Sequence, residues 1–90
     1  MDYNVMSLED FKQLKRQAVP DTEDDYGSAR QIEAEQRFFD AVEKAIGDTD
    51  YKRLTSIIND GYLDIYEALE LALNSVAFGL DFAIEKFNPN

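Results

Sequence analysis

The chain has 90 residues, 44% of them apolar and 31% charged, and it carries a net charge of −10 without any histidine, cysteine or tryptophan. Its length predicts a single domain that spans residues 1–90. The missing side chains exclude a disulfide framework, a thiolate nucleophile and histidine-based acid–base catalysis, so we predict no enzyme, no catalytic residue, no cofactor and no metal site. The negative charge opposes direct contact with nucleic acid or an anionic membrane, because both are bound through cationic side chains.

The N-terminal segment, residues 1–6, has neither a basic start nor an apolar stretch. We therefore expect a short N-terminal arm and no secretory signal. Acidic residues interrupt the most apolar region of the chain, so no membrane span is expected either. These features predict a cytoplasmic protein.

A first helix is predicted over residues 8–18, because Ser7 is a good N-cap and Pro20 prevents continuation. Residues 20–27 then combine a proline, four acidic residues and a glycine, a pattern typical of a solvated loop. Acids alternate in this acidic loop as the first ligands of an EF-hand do. Neither register of the loop supplies the full set of calcium ligands, so we do not predict a calcium site.

Two further helices are predicted before the last third of the chain. Ser28 with Gln31 has the spacing of a capping box that opens a helix over residues 29–46, and Gly47 ends it. A shorter helix follows over residues 50–59, capped by Asp48 or Thr49. The second helix carries enough apolar residues to face two neighbours, so we expect it to pack centrally.

The last helix is predicted over residues 63–87 as a long, largely buried C-terminal helix. Its apolar residues recur in steps of three and four along one seam: Tyr66, Leu69, Leu73, Val76, Leu80, Ala83 and Phe87. Gly79 in mid-helix indicates the close approach of another backbone. The four helices together predict an all-α fold, a small four-helix bundle.

A second apolar stripe, formed by Leu71, Phe78 and Phe82, falls on nearly the opposite side of the last helix. Two interpretations are open. The stripe is core if the first helix or the N-terminal arm covers it, and it is an interface if a partner or a second copy of the chain covers it. In the second case the protein is a homodimer or binds its partner through this stripe.

The acidic residues concentrate in residues 1–27 and 54–90, and the segment between them is nearly neutral. We predict that the acidic loop and the start of the last helix form one negative surface that contacts a protein groove rich in lysine and arginine. The predicted partner-binding residues are Asp21, Glu23, Asp24, Asp25, Asp64, Glu67 and Glu70.

These features predict a small acidic inhibitor that blocks a basic nucleic-acid-binding or nuclease protein, of the anti-restriction, anti-CRISPR or immunity type. Partial DNA mimicry is one means, because helical acids three or four residues apart are spaced by about 4.5 to 6 Å, which approaches phosphate spacing. The acidic strip of the last helix is, however, interrupted at Asn74. The alternative is a helical interaction module or antitoxin-like subunit that binds through the second apolar stripe.

Overall fold

The computed structural model describes residues 6–87, and α-helices account for most of this segment. Between these residues no strand occurs, and the all-α prediction is confirmed. The first two helices have the predicted bounds, whereas residues 1–5 of the predicted arm lie outside the described residues. The five helices of this part of the chain are α1 (Leu8–Ala18), α2 (Ala29–Ile46), α3 (Asp48–Asp60), α4 (Ile65–Phe78) and α5 (Leu80–Lys86), and a 3₁₀ turn spans Glu23–Asp25.

Helices α2 and α4 form the centre of the molecule. Helix α2 packs against α1, α3 and α4, and α4 packs against α1, α2 and α5. The largest fully buried apolar side chains come from α2, α3 and α4: Phe38, Val42, Leu54, Leu69 and Leu71. The Cα positions extend over 39 × 38 × 19 Å, so the molecule is about two helices thick and has two broad faces.

The prediction of one helix over residues 63–87 is wrong, because the chain turns a corner at Gly79. This glycine has φ 95° and ψ 149°, a conformation that is essentially restricted to glycine. Its N–H donates to the carbonyl of Ser75 and its carbonyl accepts from the N–H of Ala83, so a single residue ends α4 and begins α5. A Cβ at Gly79 would meet no atom within 4 Å. The predicted close approach of another backbone is therefore wrong as well, and the glycine is needed for its backbone conformation.

The apolar seam nevertheless continues across this corner. Leu69 and Leu73 of α4 are buried, and so are Leu80 and Ala83 of α5. Tyr66, at the start of the predicted seam, is instead exposed. No helix between residues 6 and 87 combines the length and apolarity needed to cross a bilayer.

The third helix begins at Asp48, earlier than the predicted residue 50, because Gly47 forms a corner like that at Gly79. It has φ 93° and ψ 161°, and it caps the end of α2 and the start of α3. Its carbonyl accepts a hydrogen bond from the N–H of Tyr51. The expected cap at Asp48 or Thr49 is thus replaced by the preceding glycine.

The end of α3 places a tyrosine where a glycine is usual. Gly61 has an ordinary φ of −89°, and the left-handed residue is Tyr62, with φ 51°. The N–H of Leu63 donates to the carbonyl of Ile58, and that of Tyr62 donates to the carbonyl of Asn59, which completes a Schellman motif. Asp64 then caps α4, which begins at residue 65 instead of 63.

We expect Tyr62→Gly to raise the free energy of unfolding by about 1 kcal/mol, because a left-handed conformation costs a non-glycine residue this much. The Tyr62 side chain is 92% exposed, so its removal loses little packing. Tyr62→Ala is the matched control, since it removes the ring and keeps a Cβ. Urea unfolding of the two variants measures the difference. If the glycine variant is no more stable than the alanine variant, the backbone at Tyr62 is not strained.

Candidate functional site

The acidic loop, residues 20–27, is held in place by Asp25. The carboxylate of Asp25 accepts hydrogen bonds from the N–H of Asp21 (2.9 Å), from the hydroxyl of Ser28 (2.7 Å) and from the guanidinium of Arg30. Arg30 also donates to the carbonyl of Gln17 at the end of α1 (2.8 Å). The Asp25 side chain is only 14% exposed. Its predicted role in partner binding therefore competes with an internal role, because its oxygens already have partners.

Gln31 joins the same loop to α1. Its side chain is buried, its amide donates to the carbonyl of Ala18 (3.0 Å), and its carbonyl oxygen accepts from the N–H of Gly27 (3.2 Å). The hydroxyl of Ser28 accepts from the N–H of Gln31, as predicted, but the reciprocal half of the capping box is absent. Sequence reasoning missed this second use of Gln31, because it depends on contacts with another helix.

Folding stability is expected to fall in acid partly through Asp25. The Arg30 guanidinium, together with the other donors, holds the pKa of Asp25 well below its ordinary value of 3.8. A carboxyl whose pKa is lowered in the folded state stabilises the fold above its unfolded pKa, and this contribution is lost as the pH falls through the folded pKa. Asp25→Asn should therefore show a shallower loss of stability below about pH 4 than the wild type.

Asp24→Asn is the control for this measurement, since Asp24 is exposed and has no ion-pair partner between residues 6 and 87. Thermal unfolding monitored across the acidic range measures both variants. If folding stability falls equally in acid for the wild type and Asp25→Asn, Asp25 does not contribute to the acid sensitivity of the fold.

The predicted acids at the start of α4, including its N-cap Asp64, also have internal partners. Asp64 accepts from the N–H of Glu67, and the Glu67 carboxylate accepts from the N–H of Asp64, which forms a capping box. Glu70 accepts from the ammonium group of Lys15 on α1 at 2.5 Å. A cation thus lies within this part of the predicted negative surface, as Arg30 of α2 does beside the acidic loop.

The remaining three predicted acids point to solvent. Asp21, Glu23 and Asp24 are exposed, and none of their carboxylates forms an ion pair with a side chain between residues 6 and 87. The predicted surface therefore divides into three carboxylates that are open to a partner and four that are held by the fold.

The second apolar stripe divides in a similar way. Leu71 is buried, whereas Phe78 is 63% exposed and Phe82 is 43% exposed. The two phenylalanine rings lie 5.4 Å apart on either side of the Gly79 corner. The core interpretation is correct for Leu71, and the interface interpretation stays a prediction for Phe78 and Phe82. We call these two rings the aromatic pair.

Helix geometry explains why Phe82 of the aromatic pair faces outward. Phe82 follows Leu80 by two residues, which is about 200° around a helix. Because Leu80 is buried against the core, Phe82 lies on the far side of α5. The ammonium of Lys86 lies 5.6 Å from the centroid of the Phe82 ring, in cation–π geometry. The exposed ring face therefore already attracts a cation.

Two concave regions lie outside the aromatic pair. A cavity of about 300 Å³ is mostly apolar and is lined by Ile57, Gly61, Leu63, Glu67, Leu71, Ile84 and Phe87. A groove of about 280 Å³ between α2 and α3 is lined by Glu35, Gln36, Phe39, Tyr51, Thr55, Ile58 and Asn59. Within the part of the chain that the structure describes, no three acidic side chains converge as metal ligands would.

Comparison of the chain with protein-family models, with curated proteins and with solved structures gives no match.

Proposed function

We propose that this protein is a non-catalytic, acidic binding module that attaches to a basic protein through the aromatic pair, Phe78 and Phe82. The observation that carries the proposal is the exposure of two adjacent phenylalanine rings at a helix corner. Aromatic side chains dominate the energy of protein interfaces when a partner buries them. The absence of histidine and cysteine supports a role without catalysis.

The charge of the molecule favours a basic partner. The net charge of −10 attracts cationic surfaces and speeds their encounter with the protein. Asp81 and Glu85 are exposed on α5 beside Phe82. Asp81 already pairs with Arg53, and Lys86 lies over the Phe82 ring, so Glu85 is the carboxylate of α5 that has no ion-pair partner between residues 6 and 87. A partner surface with an apolar centre and lysine or arginine at its edge complements this arrangement.

A homodimer through the same pair is less well supported, because two chains of the same net charge repel each other. Sedimentation at low micromolar concentration distinguishes the two cases. A monomer agrees with the proposal, and a dimer that the aromatic pair mediates would assign the surface to a second copy.

The second candidate is the inhibitor that blocks a basic nucleic-acid-binding or nuclease protein through its acidic residues. The exposed carboxylates of Asp21, Glu23 and Asp24 favour it. Mimicry of a phosphate ladder along the last two helices has less support. Glu70 is paired with Lys15, and Asp81 is paired with Arg53 at 2.7 Å.

We further propose that the helices form one bundle-like domain, in which α5 turns away from α4 and extends the predicted four-helix arrangement to five helices. The shared contacts of α2 and α4 with their neighbours support this packing. This packing matters for the proposed function because α4 is a central helix, and the Gly79 corner at its end holds the aromatic pair in position.

Affinity capture from the source cells at low salt, followed by mass spectrometry, tests the main proposal. We expect one strongly basic protein to be retained by the wild type and lost from a variant that lacks both phenylalanines. Replacing Glu23 and Asp24 with their amides should weaken this retention only modestly. Should the amide variant lose the partner and the phenylalanine variant keep it, the second candidate would be favoured instead.

A further inference from the structure

The groove between α2 and α3 combines an apolar floor with a carboxylate. Phe39, Tyr51 and Ile58 supply half-buried apolar surface, and Glu35 contributes its carboxylate. The ring of Phe39 packs edge-on against the buried ring of Phe38, with centroids 5.3 Å apart, so it is anchored to the core. A volume of about 280 Å³ is slightly below the range of about 300–1,000 Å³ of ligand pockets, which favours a single long side chain as the occupant.

The electrostatic surroundings of the groove favour a cation. Glu35 makes no ion pair or side-chain hydrogen bond with any residue from 6 to 87. Burial raises the pKa of the Glu35 carboxyl above its ordinary value, as expected for a carboxylate against apolar surface. Burial, together with the charges of Glu43 and Asp40, also raises the pKa of Tyr51. The negative charges of Glu35, Asp40 and Glu43 therefore make this region favourable for a cation.

Arg37, Lys52 and Arg53 are directed away from the groove or are already paired. Lys44 follows Glu35 by nine residues, about 180° around α2, so it lies on the opposite side of that helix. Arg37 follows Glu35 by two residues and so lies on a different side of α2, where it pairs with Glu33. Arg53 follows Tyr51 by two residues and reaches α5, where it pairs with Asp81. The one lysine of α3, Lys52, pairs with Asp48 at 3.4 Å.

We propose that this groove binds an arginine side chain of a protein or peptide ligand. The aliphatic stem would lie on Ile58, the guanidinium plane would stack on Phe39 or Tyr51, and its N–H groups would donate to Glu35. Arginine fits better than lysine, because a guanidinium stacks on aromatic rings and forms two parallel hydrogen bonds with a carboxylate.

The groove is separate from the aromatic pair. Tyr51 and Arg53 lie on nearly opposite sides of α3, and it is Arg53 that faces α5. The inference therefore goes beyond the proposed function and does not require it. A variant without Phe78 and Phe82 is expected to bind the arginine probe as the wild type does, so failure of one proposal is distinguishable from failure of the other.

The test is an NMR titration of the isotopically labelled protein with two capped amino acids, N-acetyl-arginine methylamide and N-acetyl-citrulline methylamide. The two probes have nearly the same shape, and only arginine carries a charge. We expect saturable shifts at the amides of Thr55 and Asn59 with arginine, and at least about tenfold weaker binding with citrulline, because charge-assisted hydrogen bonds are the stronger class. The pKa of Glu35 should fall when arginine is bound, because an opposite charge favours the ionised carboxyl.

The matched variants are Glu35→Gln, which removes the charge in the groove, and Glu33→Gln, which removes one on another side of the same helix. Only Glu35→Gln should weaken arginine binding, by about tenfold. Equal binding of the two probes would overturn the proposal, and so would an equal effect of the two variants or shifts confined to the acidic loop. The comparison of probes on the wild-type protein decides the matter even if Glu35→Gln does not fold.

Discussion

Replacing Phe78 and Phe82 together with serine is expected to weaken binding of the captured partner at least about 30-fold, while folding remains near wild type. Truncation of an aromatic anchor at the centre of an interface typically costs about 2 kcal/mol or more, which corresponds to this factor. The side chains are 63% and 43% exposed, so their loss opens no cavity in the core. Exposed substitutions of this kind usually change stability by about 0.5 kcal/mol or less.

The chain offers a closely matched control in Tyr26→Ser with Ile32→Ser. These side chains are 58% and 43% exposed, so the control removes a similar amount of apolar surface from another part of the molecule. Calorimetric titration gives the affinity of each double variant, and circular dichroism gives its thermal midpoint. Because Tyr26 lies in the acidic loop of the second candidate, equal losses of affinity in both double variants would show that the aromatic pair is not the specific contact.

Gly79→Ala is expected to lower the free energy of unfolding by about 1–3 kcal/mol, because an L-residue is strained at φ 95° and ψ 149°. Steric overlap does not add to this loss of stability, since a Cβ at this position meets no atom within 4 Å. Gly47→Ala should produce a similar loss, because Gly47 has nearly the same backbone conformation.

Guanidinium unfolding of both alanine variants measures these losses, and the helical signal of Gly79→Ala provides a second readout. If the strained corner relaxes into a continuous helix, helical content rises and the buried positions of Leu80 and Ala83 are disturbed. A Gly79→Ala protein as stable as the wild type, with an unchanged helical signal, would contradict the role assigned to this glycine.

Local signals in the sequence were sufficient for the first half of the fold. Ser7 and Ser28 cap their helices, and Pro20 and Gly47 end them, so each boundary depends on residues next to it in the chain. The single helix over residues 63–87 was wrong for a specific reason. The apolar seam stays in phase across Gly79, and periodicity does not reveal that one glycine has a positive φ.

The candidate site was less predictable, because tertiary contacts decide which side chains remain open to a partner. Lys15 and Glu70 are 55 positions apart in the chain, so no local pattern reveals their ion pair. Leu71 and Phe78 share a helical stripe, yet only Leu71 is covered, since Phe78 lies at the end of α4 beside the corner. The groove at Glu35 depends on the packing of α3 against α2, which the sequence does not specify residue by residue.

An NMR footprint of the labelled protein in complex with its captured partner shows directly whether the aromatic pair is the contact surface. We expect signals from residues 77–83 to shift or broaden, and the rings of Phe78 and Phe82 to lose contact with solvent. Changes confined to residues 20–27 and 64–70, with the Gly79 corner unaffected, would contradict this expectation.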